Sequence, residues 1–341
     1  MMLALRVERG KAEALRLELS RLNLLDSRRK FLVGDEFVEI PVLGMEGVDL
    51  AKWGAISVEQ VEPVERGEIY DPHREIVDNL QIPEELIGLL PKKWEMLGDV
   101  LILKLNEGLR EYDTEVAKVY AEVLGAVTVL EDVGGVSEDI RKPDVKLLLG
   151  ERTVATHREN GVLYKLDAKE IMFSSGNIDE RIRMAKVCDD GDIVVDMFAG
   201  IGYFSLPMAV HSRPEKVYSV EINPVAFGYL EENVKLNRVE NVVDPILGDC
   251  LEMAPEGVAT RVVMGYLSGE GYLPKAMRVI GESGIIHYHE NCPNELLPDR
   301  PVENVEDAAR KEDRKIEVLD QRRIKSYAPG VSHVVLDVRV S

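Results

Sequence analysis

One segment constrains this chain more than any other: Val194-Val195-Asp196-Met197-Phe198-Ala199-Gly200-Ile201-Gly202-Tyr203-Phe204-Ser205. An apolar run of strand length leads into Gly-x-Gly and then into a helical pattern. Without Cβ atoms, Gly200 and Gly202 allow a tight turn and a close approach of backbone to a ligand. Further apolar runs of strand length follow at residues 216–220, 242–247, 261–264 and 284–287, with helical stretches between most of them. That alternation predicts a parallel sheet covered on both faces from about residue 170 onward. Residues 324–330, turning into 331–340, predict a final hairpin that completes the sheet.

Three acids accompany the glycines. Val217-Tyr218-Ser219-Val220-Glu221 ends in a carboxylate 19 residues after Gly202, where it can accept hydrogen bonds from both hydroxyls of a ribose. Asp249, after the next strand, is placed to reach an adenine amino group. Asp196, at the first strand–loop junction, is placed to hold an ammonium group and would repel a pyrophosphate. Ser205 also stands where a dinucleotide fingerprint has its third glycine. An adenosine, a ribose diol and an α-ammonium together describe S-adenosylmethionine. The competing readings are an NAD-type site and a glycine turn of purely structural purpose.

The remainder is less specific. Ala12, Leu15, Leu19 and Leu22 recur at helical spacing, residues 37–41 read as a strand, and residues 44–70 read as a loop or linker rich in Glu, Gly and Pro. Residues 71–168 mix helical patterns (86–90, 114–124) with short strands (100–103, 127–130, 145–149, 153–156, 163–166), with Asn160-Gly161 as a hairpin turn. The expected parts are therefore 1–70, 71–168 and 169–341.

Charge and cysteine usage exclude several classes. Sixty-two acidic against 42 basic residues give −20, which argues against a general binder of nucleic acid, DNA included. Two stretches run the other way: Arg141, Lys142, Lys146, Arg152, Arg158 and Lys165, then Arg322, Arg323, Lys325 and Arg339. No apolar run approaches the ~18 residues of a membrane span, and the N-terminus lacks the apolar core of a secretory signal. Cys188, Cys250 and Cys292 lie far apart without a C-x-x-C pair. That speaks against a disulfide framework or a cysteine zinc site and predicts a reducing, cytoplasmic setting. No constellation of metal ligands stands out.

Asp-x-Phe-Ala-Gly-Ile-Gly-x-Phe-Ser from Asp196, Glu221-Ile222-Asn223-Pro224 and Glu232-Asn233-x-x-x-Asn237 together resemble one branch of the class I S-adenosylmethionine enzymes. That branch modifies guanosine 37 of tRNA, beside the anticodon. One arm comprises the tRNA guanine-37 N1-methyltransferases. The other comprises the aminocarboxypropyltransferases of wybutosine synthesis, which move the 3-amino-3-carboxypropyl group instead of the methyl. Residues 134–137 and 156–161 resemble the middle, RNA-contacting domain of both arms; residues 325–329 and 333–337 resemble their shared end. Residues 1–43 resemble the N-terminal domain of the methyltransferase arm. Met264-Gly265-Tyr266 stands where methyltransferases carry Asn-x-Pro, and Met172-Phe173-Ser174, Glu180-Arg181-x-Arg183-Met184 and Ile286-His287-Tyr288-His289 resemble the transferase arm. Ser332 departs from both arms, which often have Trp there.

The resemblance implies an α/β fold: a class I, Rossmann-like sheet at the C-terminus, preceded by a smaller α+β RNA-binding region. It implies S-adenosylmethionine as a consumed donor and the anticodon loop of tRNA-Phe as partner, with transfer to C7 of 4-demethylwyosine and release of methylthioadenosine. The alternative within the class is the N1-methyltransferase; outside it, an RNA-binding protein with a vestigial cofactor fold. Carried over residue by residue, Ser174, Arg181, Glu221, Asp249 and Cys250 line the cofactor site. Arg181 suits a methionyl carboxylate, which a guanidinium holds bidentately, although a surface i,i+4 partner is its plainer role. For Ser174 the plainer role is a helix N-cap. Tyr266 is expected to stack on the target base or to serve as a wall. His289, at a strand end beside His287, is expected to relay the C7 proton or to be structural.

Overall fold

The computed structural model describes residues 3–59, 70–136 and 142–341 and divides into two compact units, Met1–Pro72 and His73–Ser341. Ser137, Arg141 and residues 60–69 of the expected linker lie outside the described residues.

In the first unit, helix Ala12–Arg21 buries Leu15 and Leu19 against a four-stranded antiparallel sheet. Its strand order is Leu32–Val33, Phe37–Pro41, Leu3–Glu8, Ile56–Glu59. The helix and the strand at 37–41 lie where the apolar spacing put them. The stretch read as a loop instead carries a helical turn, Leu50–Trp53, and a strand, Ile56–Glu59. None of the four residues of that strand is buried, so no apolar alternation marks it in the sequence.

The second unit begins with a mixed four-stranded sheet, ordered Trp94–Leu97, Val100–Leu103, Thr128–Val136, Pro143–Leu149, with helix Asp113–Leu124 buried against it. A separate two-stranded hairpin follows, Val154–Glu159 with Val162–Asp167, turning at Asn160-Gly161.

The rest forms a seven-stranded sheet of β1 (Ile193–Asp196), β2 (Lys216–Glu221), β3 (Val243–Leu247), β4 (Ala259–Met264), β5 (Ile280–Pro293), β6 (Ile316–Ala328) and β7 (Val331–Val340), in the order β3-β2-β1-β4-β5-β7-β6. The first five are parallel; β7 runs antiparallel to β5 and β6. Side-chain alternation divides the core. Val194, Val217 and Val263 pack on one face with α1 (Ile178–Val187), α2 (Ser205–His211) and α3 (Pro224–Leu236). Val195, Val220 and Val262 pack on the other with α4 (Leu273–Val279) and α5 (Asp299–Lys311). Both faces covered, these strands read as continuous apolar runs, and the chain is of the α/β class. β5 is far longer than residues 284–287, because β7 pairs along it from Gly284 to Pro293, past the buried Glu290, which Arg300 and Asn304 of α5 hold and no apolar pattern announces.

Candidate functional site

A cavity of about 300 Å³ opens at the carboxyl ends of β1, β2, β3 and β4, where open α/β sheets hold their ligands. Its floor is the glycine loop. Gly200 (φ +58°) and Gly202 (φ +99°) both sit in the left-handed region. Gly200 lines the cavity. Gly202 does not; a Cβ there would lie 2.6 Å from Leu206 Cγ and 3.2 Å from Leu230 Cδ1. Of the two glycines, Gly200 thus borders the cavity, and Gly202 lets α2 and α3 pack against the loop.

Glu221 closes one wall. Its Oε2 accepts the Gly200 N–H at 2.7 Å and its Oε1 the Asn223 N–H at 2.7 Å. Each oxygen keeps lone-pair capacity for a ligand hydroxyl. Burial raises its carboxyl above the ordinary range. Asp249 also lines the cavity, and its carboxylate caps the helical turn that follows by accepting the Leu251 N–H at 2.9 Å. Cys250, beside it, is buried, and burial pushes its thiol up to about 12, so it is a neutral wall group and no nucleophile.

Asp196 corrects the sequence reading. It is 0% exposed and does not face the cavity; Phe198 N–H (3.3 Å) and Ser205 Oγ (2.8 Å) donate to its two oxygens. The last residue of β1 points inward, so this acid anchors the loop rather than holding an ammonium group.

Arg181 and Ser174 line the cavity, with geometry that differs from the expectation. The Arg181 fork is already engaged: Nε and Nη2 donate to the two oxygens of Glu159 at 2.5 and 2.6 Å, and Nη1 donates to the Ser174 carbonyl at 2.9 Å. Two of its five N–H groups remain. Ser174 makes no capping bond to the following helical turn; its hydroxyl accepts from Lys325 Nζ at 2.8 Å.

Tyr266 forms an aromatic wall with Phe198 (centroids 5.3 Å apart, interplanar angle 30°) and Tyr272, which meets both edge-on. His289 is a second correction. It is buried, lies outside the cavity lining and packs behind the wall residue Phe204 with centroids 5.1 Å apart. Burial first, then the neighbouring His333 and His287, hold its imidazole well below the ordinary 6.5. His287 is likewise interior, between Asp337 Oδ1 (2.6 Å) and Arg261 Nη1 (2.8 Å).

The sequence missed Phe198, Tyr272 and Asn177 as wall residues. Phe198 sits inside the glycine motif and could have been picked from it; nothing local marks the other two. Of the basic stretches, Lys142, Lys146 and Lys165 pair with Glu170, Asp113 and Glu232 at 2.6–2.8 Å, and Arg322 is drawn inward to Asp337. Arg158 and Arg323 are exposed.

The TRM5/TYW2 methyltransferase domain matches residues 155–319, the TYW2 N-terminal domain 73–153 and the tRNA methyltransferase 5 N-terminal domain 4–45. The chain is 46% identical over 268 residues to the tRNA(Phe) (4-demethylwyosine(37)-C(7)) aminocarboxypropyltransferase of Pyrococcus horikoshii, covering 78% of this chain and 95% of the relative. It is 35% identical over 348 residues to the tRNA (guanine(37)-N(1))-methyltransferase Trm5b of Pyrococcus abyssi, covering 100% of both. The crystal structure of P. horikoshii TYW2 in complex with MeSAdo superposes with a TM-score of 0.72 at 44% identity, covering 79% of this chain and 97% of that one. Sheet order, glycine loop and these similarities agree: the chain belongs to the TRM5/TYW2 family.

Proposed function

We propose that this protein transfers the 3-amino-3-carboxypropyl group of S-adenosylmethionine to C7 of 4-demethylwyosine at position 37 of tRNA-Phe. The carrying observation is the end of β4. Met264 is buried in the core, a Cβ on Gly265 would stand 2.9 Å from the Phe204 ring, and Tyr266 joins Phe198 and Tyr272. Neither the side-chain amide nor the proline expected of the methyl-transferring arm stands there, so an aromatic face is offered to a flat base instead. The transferase relative, at 46% identity against 35% for the methyltransferase, supports the same choice.

The donor is a substrate, and its sulfonium activates three carbons; the one attacked is the one held ~3–3.5 Å from the nucleophile and in line with sulfur. Glu221 receives the ribose hydroxyls through its remaining lone pairs, and Asp249 and Cys250 bound the adenine. Ser174 and the two remaining N–H groups of Arg181 hold the methionyl end. So held, the γ-carbon is presented to C7: the C7–Cγ bond forms, the Cγ–S bond breaks, sulfur keeps the electron pair, and C7 loses its proton. Methylthioadenosine is then the by-product, in accord with the MeSAdo of the related structure. Tyr266 supports the base, which must leave the anticodon-loop stack to enter.

Residues 1–70 form a small N-terminal domain and linker, 71–168 contact the tRNA anticodon region, and 169–341 catalyse. Among the described residues no helix is long and apolar enough to cross a membrane; three free thiols suit the cytoplasm. The N1-methyltransferase alternative draws on residues 4–45, which match that arm's N-terminal domain.

S-adenosylmethionine carrying distinct labels on its methyl and carboxyl carbons separates the two. With tRNA-Phe bearing 4-demethylwyosine, carboxyl label should enter the RNA with release of methylthioadenosine. Methyl label entering a tRNA with unmodified guanosine 37 would establish the alternative instead.

A further inference from the structure

The hairpin Val154–Asp167 contributes no residue to the cavity lining, yet it grips the site at two places. At the methionyl end, Glu159 is 7% exposed and Arg181 2% exposed, and they meet in a bidentate pair at 2.5 and 2.6 Å. The guanidinium also lies over the Phe173 ring at 4.8 Å, and His157 and Tyr164 of the hairpin buttress that ring at 4.9 and 5.3 Å. The pose of Arg181 is therefore set from the hairpin.

At the ribose end the link runs through α3. Asn233 and Asn237, one helical turn apart, present their side-chain amides to the hairpin edge. Four residues of helix rise about 6 Å and two residues of strand about 6.8 Å, so the two amides match Leu163 and Lys165. Asn237 accepts the Leu163 N–H (2.9 Å) and donates to its carbonyl (2.7 Å). Asn233 accepts the Lys165 N–H (2.6 Å) and donates to its carbonyl (3.1 Å). The second amide hydrogen separates the pair: that of Asn237 stays within the helix, on the Asn233 carbonyl at 2.8 Å, whereas that of Asn233 goes to the Ile201 carbonyl at 3.1 Å. Ile201 lies between the two left-handed glycines and is 0% exposed. Its neighbour Gly200 supplies the N–H that orients Glu221. Asn233 is itself 0% exposed, with both amide hydrogens and its oxygen engaged.

We propose that this hairpin is a positioning element for the donor, with Glu159 setting the Arg181 guanidinium at the methionyl end and Asn233 setting the Ile201 peptide at the ribose end. The proposal rests on the cavity being the S-adenosylmethionine site. It has a chemical signature, because methylthioadenosine keeps the ribose and lacks the methionyl carboxylate.

The test is calorimetric binding of both compounds, without RNA, to the full chain. Glu159→Gln should weaken S-adenosylmethionine about tenfold and leave methylthioadenosine within about twofold. Asn233→Ala should weaken both about tenfold. Asn237→Ala removes as many hairpin bonds without touching the loop, and should change neither by more than about twofold. Equal losses for both ligands in all three variants would reduce the hairpin to a structural part and overturn the proposal; so would unchanged binding in Glu159→Gln and Asn233→Ala. Failure of the unaltered protein to bind S-adenosylmethionine would instead overturn the reading of the cavity. Removing a buried charge can prevent folding, so Glu159→Asp, which keeps the charge but shortens its reach, should show the same ligand-selective loss. For Asn233, hydrogen exchange on the unaltered protein gives an independent reading. Either ligand should slow the Lys165 amide and leave the Leu163 amide unchanged; equal slowing at both would overturn the coupling.

Discussion

Asp196 lends itself to a quantitative test, because its carboxylate is sealed in while its partners tolerate a neutral substitute. Its two oxygens accept from Phe198 N–H and Ser205 Oγ, and Ser205 Oγ accepts in turn from Ser219 Oγ at 2.8 Å. Burial pushes the carboxyl from an ordinary 3.8 up to about 6. Between those values the unfolded chain has released its proton and the folded chain keeps it. Stability therefore falls as pH rises through this window and levels off above the folded value. The full cost is about 3 kcal/mol, of which about half has developed by pH 5. Asp196→Asn retains an acceptor for Phe198 and, by turning the serine hydroxyls, a donor for Ser205, without a charge to bury. Its advantage over the unaltered protein in urea unfolding should grow from about 1.5 kcal/mol at pH 5 to about 3 kcal/mol at pH 7.5. A difference that does not change with pH, or a variant less stable at pH 7.5, would refute the assignment of a strained interior acid. The same variant checks the orientation of the side chain. Affinity for S-adenosylmethionine should stay within about threefold; a folded variant that loses about a hundredfold would mean that the carboxylate reaches the ligand after all.

Two further substitutions address the cavity walls. Glu221→Gln leaves one of the Gly200 and Asn223 N–H groups without an acceptor and removes the charge facing the diol. Calorimetry should show S-adenosylmethionine weakened about a hundredfold, and a loss below about fivefold would exclude the ribose role. Tyr266→Ala removes a stacking face, so steady-state kinetics should show KM for the modified tRNA rising about tenfold with donor affinity unchanged; a change confined to donor affinity would make Tyr266 a cofactor wall only.

What the sequence made legible depended on locality. The glycine loop, the β2 acid and Asp249 lie within single strand–loop units, and periodicity places such residues at the carboxyl ends of strands. The direction in which Asp196 points was not legible. It is decided by Ser205 on α2 and Ser219 on β2, which meet only when the sheet is assembled. Arg181 shows the same limit more sharply. Its chemistry suits a carboxylate, and the carboxylate that takes its fork is Glu159, 22 residues away across the hairpin. A helix pattern also hides the role of Asn233 and Asn237, because polar residues one turn apart ordinarily read as a solvent-facing stripe. The first strand, Leu3–Glu8, was not legible, since it packs Leu5 and Val7 into a core whose other parts are scattered over residues 15–55.

The proton that leaves C7 has no acceptor at His289. A relay needs a path to the substrate, and the imidazole lies away from the cavity: it is 1% exposed and outside the cavity lining, it packs against the wall residue Phe204, and its Nδ1 faces His333 Nε2 at 3.1 Å. Burial, two neighbouring imidazoles and the guanidinium groups of Arg183 and Arg322 all disfavour its charged form. It is accordingly neutral throughout the range in which a tRNA enzyme would be assayed. Its linkage runs opposite to that of Asp196: the unfolded chain takes up a proton below the ordinary 6.5 that the folded chain refuses, so stability is lost as pH falls through that value. His289→Gln keeps a polar partner for His333 and removes the titration. The acid-side loss of stability should shrink, kcat should stay within about threefold, and the pH–rate profile should keep its shape. A hundredfold fall in kcat, with donor binding intact and the profile losing a limb, would require a path from the imidazole to the base that Phe204 closes here.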